Sequence, residues 1–536
     1  GFFGMETPET QTKANPALIK GLTFATGDAF TKAAADQVAA LKDADVVICL
    51  AHLGVDAESA PYRSTDLYAA VKGIDFIVDG HSHTVMTKGE KGEPIQSTGT
   101  AFANIGVIVI DDASKKIESN SLYEIKEDTA KDATVAAAAK TIVDRVDKEY
   151  GVVFAKSEVT LNGAKAPNGN RDSETNNGDL ITDAMIWKVM QNKDGLTVDA
   201  DHVVAITNGG GIRAAIKPGD VTKKDINTVL PFGNTVAVIY VTGAELLEAL
   251  EASTYSLPVG GFPQVAGINF TLSTAVAYDA NAETYPASTY YGPKSINRVT
   301  INSINGKEFK ADDTYAVVTN NFVAGGGDTY YAFAAASAQF DTGIPLDEAV
   351  MEYVTTELKG VIGAQYAAPQ GRILLNPFKD VKASSWFGKY VIDLYNDGII
   401  NGTSATTYAP NDTLTWAAAL KLLLVSNGDL KAADATGADW SKNVIAKAAE
   451  LGLVAADLDG AKAISRLEFC QVAAKLNKLA ESKTESKFTD CTDGYVMALV
   501  DAKVINGMTE TTFEPAASLT RAQIAKIIYQ LNLIEK

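Results

Sequence analysis

Two apolar runs near the N-terminus each end in histidine. Residues 46–51 run directly into His52, and residues 74–78 run into a short polar segment that holds His81 and His83. Between these runs, apolar residues recur at helical spacing: Leu67, Ala70 and Val71. The pattern predicts a strand, a crossover helix and a second strand, so both strands end at the same edge of a parallel sheet. Because open α/β sheets bind ligands at that edge, we predict that the three histidines share one site.

A shared site of neutral imidazoles most often holds a metal ion. A lone histidine after a strand is more often a hydrogen-bonded surface or core residue, so His52 alone is weak evidence. The second motif favours a metal, because Gly80 permits a tight turn beside His81 and His83. We therefore predict His52, His81 and His83 as metal ligands, and Zn, Mn and Fe are all compatible with this ligand set.

The alternation of strands and helices continues beyond the histidines to about residue 127, with residues 102–110 as a strand near the end. Residues 128–155 form a polar, alanine-rich connector. Its apolar residues recur at helical spacing: Val135, Ala138, Ile142, Val143 and Val146. A second α+β region follows at residues 156–375. The pattern therefore predicts an α/β region and an α+β region that are joined by a helix.

The C-terminal part of the chain repeats itself. Residues 399–415 align without gaps on residues 504–520, with identical residues at eight positions. A degenerate middle copy lies around Trp440, Gly452 and residues 464–468. Each copy follows the order helix, glycine turn, aromatic loop and Thr- or Ser-capped helix. The predicted copies span residues 376–430, 433–480 and 485–535. Because units of this size bury little core alone, we expect the three mostly helical copies to pack together.

Composition narrows the class of protein and of partner. With 536 residues, 46% of them hydrophobic, the chain is long and apolar enough for several globular domains. A net charge of −19 argues against a nucleic-acid polymer held on a basic surface. No apolar stretch of the sequence is long enough to span a bilayer. Cys49, Cys470 and Cys491 do not make a disulfide framework, although a bridge between the last two remains open.

Four clusters in the second region combine glycine, arginine and phenylalanine. They span residues 171–184, 207–213, 230–234 and 321–328. Taken singly, each is a loop or a packing contact. Together they predict a pocket in which glycine-rich loops approach a ligand closely. Arg171 and Arg213 would clamp phosphate, and the rings of Phe232 and Phe322 would hold a nucleobase between them. The side chains that would read the polar edges of the base are Asn234 and Asp328.

These motifs resemble one known family. Residues 51–54 and 80–83 resemble the last two metal motifs of the calcineurin-like metallophosphatases, and residues 1–10 resemble a segment in the middle of that domain. The closer match is the 5'-nucleotidase branch, which includes UDP-sugar hydrolases and 2',3'-cyclic-nucleotide phosphodiesterases. The resemblance implies the C-terminal half of an α/β metallophosphatase sandwich at residues 1–127. An α+β 5'-nucleotidase C-terminal domain would follow at residues 156–375.

The resemblance also implies roles for individual residues. In that family, the positions of His52 and His81 bind one metal ion, and that of His83 binds the other. Phe232 and Phe322 match the base-stacking positions. The full substrate-binding set that the resemblance implies is Arg171, Asn208, Gly210, Arg213, Phe232, Asn234, Gly261, Phe322 and Asp328. A further phosphate-contacting arginine of some members would fall near Pro167, so it is absent here.

The family mechanism uses two divalent metal ions, whose bridging hydroxide attacks phosphorus. Its earlier ligands and its catalytic histidine come from Asp-x-His, Gly-Asp and Asn-His-Glu motifs. Neither an Asp-x-His nor an Asn-His-Glu motif precedes His52, and the remaining histidine is His202, so we assign no catalytic residue to this chain. One explanation is a fragment whose parent protein carries those motifs and a signal peptide upstream. The other is a pseudoenzyme that keeps the nucleotide pocket.

On either explanation, we predict that the chain by itself is inactive or nearly so. For the parent protein, the resemblance implies a secreted, metal-dependent phosphoesterase that hydrolyses extracellular nucleotides, either a 5'-nucleotidase or a 2',3'-cyclic-nucleotide 2'-phosphodiesterase. The alternative is a catalytically inactive surface protein that binds nucleotide or polysaccharide.

The C-terminal copies resemble S-layer homology modules. The resemblance rests on residues 378–381 with Trp386, and on residues 398–402 and 519–523. It implies non-covalent attachment to bacterial cell-wall polysaccharide and an extracellular location. Arg466 and Arg521 begin the capped helices, where a guanidinium fork and a helix N-terminus both suit a carboxylate of the polymer. The first copy has Trp416 instead, and the alternative for both arginines is a purely local contact.

Overall fold

The computed structural model describes residues 1–14, 19, 21–276 and 294–534. In its N-terminal region, the strands that lead into the histidine motifs pair in parallel. The elements are β1 (Phe2–Glu6), α1 (Thr10–Lys13), α2 (Asp28–Ala40), β2 (Ile48–His52), α3 (Ser64–Ala70), β3 (Phe76–Asp79), β4 (Val85–Met86), β5 (Ile95–Thr98), β6 (Asn104–Asp111), β7 (Lys116–Glu124) and α4 (Ala133–Tyr150). The first sheet has the order β1-β2-β3-β5-β4, and every neighbouring pair is parallel except β4 with β5.

The apolar runs form this sheet because one face of it is buried by helices. Cys49 of β2 and Ile77 of β3 are fully buried and pack in one cluster with Phe30 and Ala34 of α2 and Leu67 of α3. The predicted strand, crossover helix and strand are therefore present, and β2 and β3 end at the same sheet edge.

The connector helix α4 differs from the other helices, because none of its 18 described residues is buried. Its predicted apolar stripe is present in sequence but exposed, with Val135 at 67% and Ile142 at 58% of full exposure. An ion pair between Asp147 and Lys224 links it to the following region. Helical periodicity thus correctly predicted the helix but not what its stripe contacts. Strands β6 and β7 form a separate antiparallel hairpin before it.

The second region is built around a five-stranded mixed sheet. Its elements are β8 (Val153–Ser157), α5 (Asn176–Met190), β9 (Val203–Asn208), β10 (Gly219–Thr222), α6 (Lys223–Val229), β11 (Thr235–Thr242), α7 (Gly243–Ser253), β12 (Pro263–Ala266), β13 (Ile268–Ser273), β14 (Val299–Ile304), β15 (Thr314–Asn320), α8 (Asn321–Ala324), β16 (Ala338–Pro345), α9 (Leu346–Thr356), β17 (Val361–Ile362) and β18 (Ile373–Asn376). The sheet has the order β12-β9-β15-β11-β16, and smaller sheets have the orders β10-β8-β17 and β14-β13-β18. Helices α5 and α9 share its apolar core, which includes Leu180, Met185, Val203, Val318 and Val350.

A buried group of carboxylates closes one end of α5. Arg372 pairs with Asp179 through Nε–Oδ1 at 3.5 Å and with Asp183 through a 2.7 Å bond to Oδ1. The backbone N–H of Gln370 donates to Glu174 at 2.8 Å and to Asp179 at 3.2 Å. Burial, followed by the charge of Glu174, raises the pKa of Asp179 to about 8. Asp179 and Asp183 therefore share one largely buried cation, and burial beside Glu174 favours the protonated form of Asp179.

The C-terminal region is helical. Its elements are α10 (Gly388–Asn396), α11 (Trp416–Ser426), α12 (Trp440–Glu450), α13 (Arg466–Leu476), α14 (Gly494–Asp501) and α15 (Arg521–Asn532). The predicted caps are present, because Thr415, Ser465 and Thr520 each accept a backbone N–H in the first turn of α11, α13 and α15. Single β-bridges join residues 413 to 520, 415 to 463 and 465 to 518. These bridges connect each predicted copy to the other two, beside one continuous apolar core.

The described residues divide into two compact units. One contains residues 1–268, 294–296 and 303–372, and the other contains residues 269–276, 297–302 and 373–534. The predicted mixed α/β architecture with a helical C-terminal region is confirmed. In the described chain Cys49, Cys470 and Cys491 are buried free thiols. No helix among the described residues combines the length and the apolar character needed to cross a membrane.

Candidate functional site

A cavity of about 450 Å³ collects the predicted site residues within the first unit. Its lining includes His52, His81, His83, Arg171, Asn208, Gly210, Arg213, Phe232, Asn234, Phe322 and Asp328. A larger groove of about 1010 Å³ along α4, α6 and α9 contains none of these residues. The chemistry of the lining, rather than volume, therefore identifies the smaller cavity as the candidate site.

Gly261 differs from the other predicted substrate residues, because its neighbour Gly260 takes its place in the lining. The Gly261 carbonyl accepts a 2.8 Å hydrogen bond from the Tyr330 hydroxyl, and a Cβ at this position would overlap the side chain of Thr329. Gly261 therefore packs behind the cavity wall, where its role is structural.

Asp79 at the end of β3 holds the two histidine loops together. Its Oδ1 accepts from the backbone N–H groups of Leu53 at 3.0 Å, Gly54 at 3.2 Å and Gly80 at 2.8 Å. Its Oδ2 accepts from the Ser64 hydroxyl at 2.5 Å. One buried carboxylate thus satisfies donors from the loops after β2 and β3 and from the start of α3. Sequence reasoning did not identify Asp79 as a site residue.

The Gly-His-Ser-His turn brings two imidazoles into contact. His81 and His83 have φ angles of 70° and 56°, in the left-handed region that non-glycine residues seldom adopt. The ring centroids of His52 and His81 lie 4.9 Å apart. A Cβ at Gly80 would lie 3.2 Å from Nδ1 of His52, so glycine permits this close approach. Strained backbone of this kind is concentrated at functional sites.

The histidines do not complete a metal site by themselves. His81 Nε2 lies 3.4 Å from the Glu9 carboxylate. Among the described residues, no three His, Cys, Asp or Glu side chains are arranged to hold a metal ion. The assignment of His52, His81 and His83 as metal ligands therefore stays a prediction. The donor chemistry suits part of a metal site and does not fit a whole one, so we derive no catalytic step through a metal.

His83 lies in a positive field. Its pKa is lowered first by burial and then by the charges of Arg213, Lys165 and Arg171, with a smaller effect of His81. The imidazole of His83 is therefore more readily neutral than an ordinary histidine. The same cations that surround His83 would attract an anionic ligand to this end of the cavity.

Two phenylalanine rings also line the cavity. Phe232 follows α6 and is 59% exposed, whereas Phe322 in α8 is 9% exposed. A Cβ at Gly327 would overlap the Phe322 ring, so the triple-glycine segment lets the ring pack flat on the backbone. The rings differ in burial as a result, with Phe322 packed into the wall and Phe232 mostly exposed.

An amide network fixes a polar part of the cavity wall. Asn208 Nδ2 donates to Asp328 Oδ2 at 2.7 Å, while its Oδ1 accepts from Asn320 Nδ2 at 3.1 Å. Asn320 also caps α8, because its Oδ1 accepts from the N–H of Val323 at 3.0 Å. Asn320 therefore positions both the Asn208–Asp328 pair and the helix that carries Phe322. Sequence reasoning missed Asn320, because it lies at the end of a buried strand outside the glycine-rich segment.

Arg213 lies near the Phe232 ring and also contributes to the positive field at His83. Its Cζ lies 5.7 Å from the centroid of the Phe232 ring, and one guanidinium nitrogen donates to the Gly210 carbonyl at 3.2 Å. Burial and the charge of Arg171 lower its pKa, although a guanidinium stays charged at any physiological pH. Arg213 thus presents a fixed cation between the aromatic wall and the histidine loops.

The two arginines of the helical unit bind backbone of the neighbouring copy. Arg466 donates to the Asn506 carbonyl at 2.9 Å, and Arg521 donates to the carbonyls of Tyr408 at 2.7 Å and Asn401 at 2.8 Å. Their guanidinium carbons also lie over aromatic rings, at 4.8 Å for Arg466 with Phe513. Both arginines therefore make contacts between copies, and their role in polymer binding stays a prediction. A groove of about 180 Å³ beside Arg466 also includes Trp386, Gln523 and Lys526.

Comparison with known proteins matches the second region and the helical C-terminal region to known families. Residues 153–335 match the family described as the 5'-nucleotidase C-terminal domain, and residues 377–419 and 490–525 match the S-layer homology domain. The trifunctional nucleotide phosphoesterase protein YfkN of Bacillus subtilis is 32% identical over 408 residues, which cover 72% of this chain and 25% of that protein. A 5'-nucleotidase of Vibrio cholerae is 24% identical over 69% of this chain and 68% of its own length.

A solved structure supports the same assignment. The 5'-nucleotidase precursor of Thermus thermophilus superposes with a TM-score of 0.54 at 27% identity, covering 70% of this chain and 72% of that one. The chain spans only about a quarter of the Bacillus relative and 60% of the protein 5NUC of Lutzomyia longipalpis. From the matched domains and these relatives, the chain belongs to the 5'-nucleotidase family and carries a 5'-nucleotidase C-terminal domain followed by S-layer homology domains.

Proposed function

We propose that this chain is the nucleotide-binding and wall-anchoring portion of a cell-surface phosphoesterase that acts on extracellular nucleotides. The enzyme would be a 5'-nucleotidase or a 2',3'-cyclic-nucleotide phosphodiesterase. Residues 1–127 would be the C-terminal part of its metallophosphatase domain, and three S-layer homology copies would hold it on the wall. The observation that carries the proposal is one cavity that joins two phenylalanine rings, two arginines and a histidine pair.

The geometry suggests how a nucleotide would lie in the cavity. The base would stack between Phe232 and Phe322, with the Asn208–Asp328 pair against its polar atoms or the ribose. The phosphate would meet Arg171 and Arg213 beside His83. This orientation follows from charge, because the cations are concentrated at the histidine end of the cavity.

Members of this family are typically metal-dependent phosphoesterases. In the whole enzyme, divalent ions held in part by His52, His81 and His83 would activate water and stabilise charge on phosphorus. The described residues contribute only part of such a donor set. We therefore propose that this chain binds and orients nucleotide and that by itself it turns over little or none.

A second candidate function is a surface protein that binds nucleotide or wall polysaccharide without catalysis. The incomplete donor set favours it, because the described residues hold an imidazole pair without a third ligand. Phosphate release from AMP, 2',3'-cyclic AMP or UDP-glucose with added Mn or Zn by the proposed parent protein separates the two functions, because only the phosphoesterase would turn over. Turnover by this chain would contradict our prediction that it is inactive.

Nucleotide binding is tested with Phe232→Ala. We expect AMP affinity to fall by about 5- to 150-fold, because base stacking on an aromatic ring contributes about 1–3 kcal/mol. Inorganic phosphate should bind Phe232→Ala as well as it binds the wild type, since the ring does not contact it. Isothermal titration calorimetry measures both ligands. Phe340→Ala is the matched control, because Phe340 is 62% exposed and lies outside the cavity lining.

Two results of this titration would contradict the proposal. One is a wild-type chain that binds neither AMP nor phosphate. The other is an equal loss of AMP and phosphate affinity in Phe232→Ala, which would place the ring away from the base.

Wall anchoring is tested with Arg466→Gln and Lys526→Gln, both in the groove beside α13. We expect each variant to lower the fraction of protein that sediments with purified anionic cell-wall polysaccharide, because each removes a cation from that groove. Arg466 is buried and bonded to backbone, so a thermal melt must accompany its result. Lys442→Gln, at an exposed residue outside the groove, is the control. Full sedimentation of folded Arg466→Gln and Lys526→Gln would exclude this groove as the polymer site.

A further inference from the structure

Lys165 and Asp56 form an ion pair at the cavity, with Nζ and Oδ2 3.2 Å apart. Both residues line the cavity, and their side chains are 44% and 36% exposed. Asp56 belongs to the loop that follows His52, whereas Lys165 belongs to the loop that precedes Arg171. The pair therefore connects the histidine side of the cavity with its phosphate side.

The loop of Lys165 is held in place by its own backbone. The N–H of Arg171 donates to the Lys165 carbonyl at 3.1 Å, and the N–H of Asn170 donates to the Ala164 carbonyl at 2.9 Å. The Asn162 side chain donates to the Asn168 carbonyl at 2.8 Å. This closure places Lys165 beside Arg171 in space, although six positions separate them in sequence. Pro167, where some family members carry an arginine, lies inside the same loop.

We propose that Lys165 is a third anion-binding side chain of this cavity and that Asp56 holds it when no ligand is bound. A phosphate group would then replace the Asp56 carboxylate as the partner of the ammonium group. The inference rests on the proposed nucleotide-binding function and specifies the charge of the ligand that the site prefers.

The exchange is physically favourable for three reasons. A solvent-exposed ion pair contributes little stability, so breaking the contact between Asp56 and Lys165 costs little free energy. A lysine side chain is a mobile point charge on a flexible stem and can move between two oxygens without rebuilding the loop. Arg171 and Arg213 already attract the phosphate to this position, so the ammonium group meets it at short range.

A third cation favours ligands with more negative charge. A phosphomonoester such as AMP carries close to two charges at neutral pH, whereas a 2',3'-cyclic phosphodiester carries one. Lys165 should therefore increase affinity for the monoester more than for the cyclic diester. The predicted substrate class of the site is a nucleoside monophosphate with a terminal dianionic phosphate.

The test is a double-mutant cycle with Lys165→Gln, Asp56→Asn and the double variant in the full chain. Calorimetry at low salt measures affinity for AMP, 2',3'-cyclic AMP and inorganic phosphate. We expect Lys165→Gln to weaken AMP by about tenfold, the scale of one charge-assisted hydrogen bond, and cyclic AMP by less. Asp56→Asn should strengthen AMP by about threefold, because the competing carboxylate is gone.

The double variant shows whether Asp56 acts on AMP affinity through Lys165. If Asp56 acts by holding Lys165, the gain from Asp56→Asn disappears in the Lys165→Gln background. A gain of full size in that background would overturn the exchange, since Asp56 would then act only by general repulsion. Unchanged AMP affinity in Lys165→Gln would overturn Lys165 as a ligand. Lys156→Gln, at an exposed lysine of β8, is the control for net charge.

The cycle separates this inference from the proposed function. A wild-type chain that binds AMP and loses affinity in Phe232→Ala, but not in Lys165→Gln, would leave nucleotide binding in place and remove Lys165 from it. A wild-type chain that binds none of the three ligands would overturn both.

Discussion

Arg213→Met should weaken AMP binding by about 150-fold or more, because a bidentate guanidinium–phosphate contact would contain two charge-assisted hydrogen bonds of about 1.5–3 kcal/mol each. Arg213 is bonded to the Gly210 carbonyl and lies 5.7 Å from the Phe232 ring centroid. The substitution thus removes the proposed phosphate clamp and the cation beside the Phe232 ring. Unlike Phe232→Ala, it should also weaken inorganic phosphate.

Two further variants sharpen the measurement. Arg213→Lys keeps the charge but loses the planar fork, so AMP affinity should fall between the wild type and Arg213→Met. Arg145→Met removes an exposed arginine of α4 outside the cavity and should leave affinity unchanged. An Arg213→Met chain that binds AMP within about threefold of the wild type would place the phosphate elsewhere, since a direct clamp cannot contribute so little.

The sequence predicted the location of this site better than its internal contacts. Two histidine motifs after apolar runs were enough to place His52 and His81 at one sheet edge, because parallel strands share that edge. Asp79 could not be assigned in the same way. Its partners Leu53 and Gly54 lie more than twenty positions earlier, and only the folded sheet brings their N–H groups to its carboxylate.

Other misses have the same physical cause. The position of Lys165 depends on a loop that closes through backbone bonds, which residue types do not specify. Periodicity correctly predicted α4 but not its surroundings, because an amphipathic pattern does not identify the surface that covers it. Arg466 was placed correctly at the start of a capped helix, yet its partner is the Asn506 carbonyl of the next copy, forty positions away.

The largest effect on stability should come from Arg372→Met. Its guanidinium group bonds to Asp183 and to the carbonyl of Val265 at 2.8 Å, and it lies 3.5 Å from Asp179. Without this cation, three buried or half-buried carboxylates face one another. Removal of one partner from a buried ion pair typically lowers the free energy of unfolding by about 3–5 kcal/mol. We expect a loss of that size at pH 8, because the ionised fraction of the acidic groups is largest there.

The loss should be smaller at low pH because of Asp179. Burial and the charge of Glu174 raise its folded pKa to about 8, far above its ordinary value of 3.8. The folded protein therefore binds a proton that the unfolded chain releases, so stability is full below about pH 4 and declines as pH rises toward 8. The slope cannot exceed about 1.4 kcal/mol per pH unit for one proton. Asp179→Asn, which resembles the protonated acid, should flatten this dependence.

Hydrogen–deuterium exchange at pH 5, 6.5 and 8 measures these effects locally, which matters because the chain has two units that need not unfold together. In Arg372→Met, amides of residues 176–190 should exchange faster, most of all at pH 8. Amides of residues 466–476 in the helical unit provide an internal control and should not change. Equal exchange of the wild type and Arg372→Met in α5 at every pH would show that the arginine does not offset the charge of these carboxylates. If the protection factors in α5, which correct each rate for the pH dependence of intrinsic exchange, did not vary with pH in the wild type, Asp179 would not hold a proton that stabilises the fold.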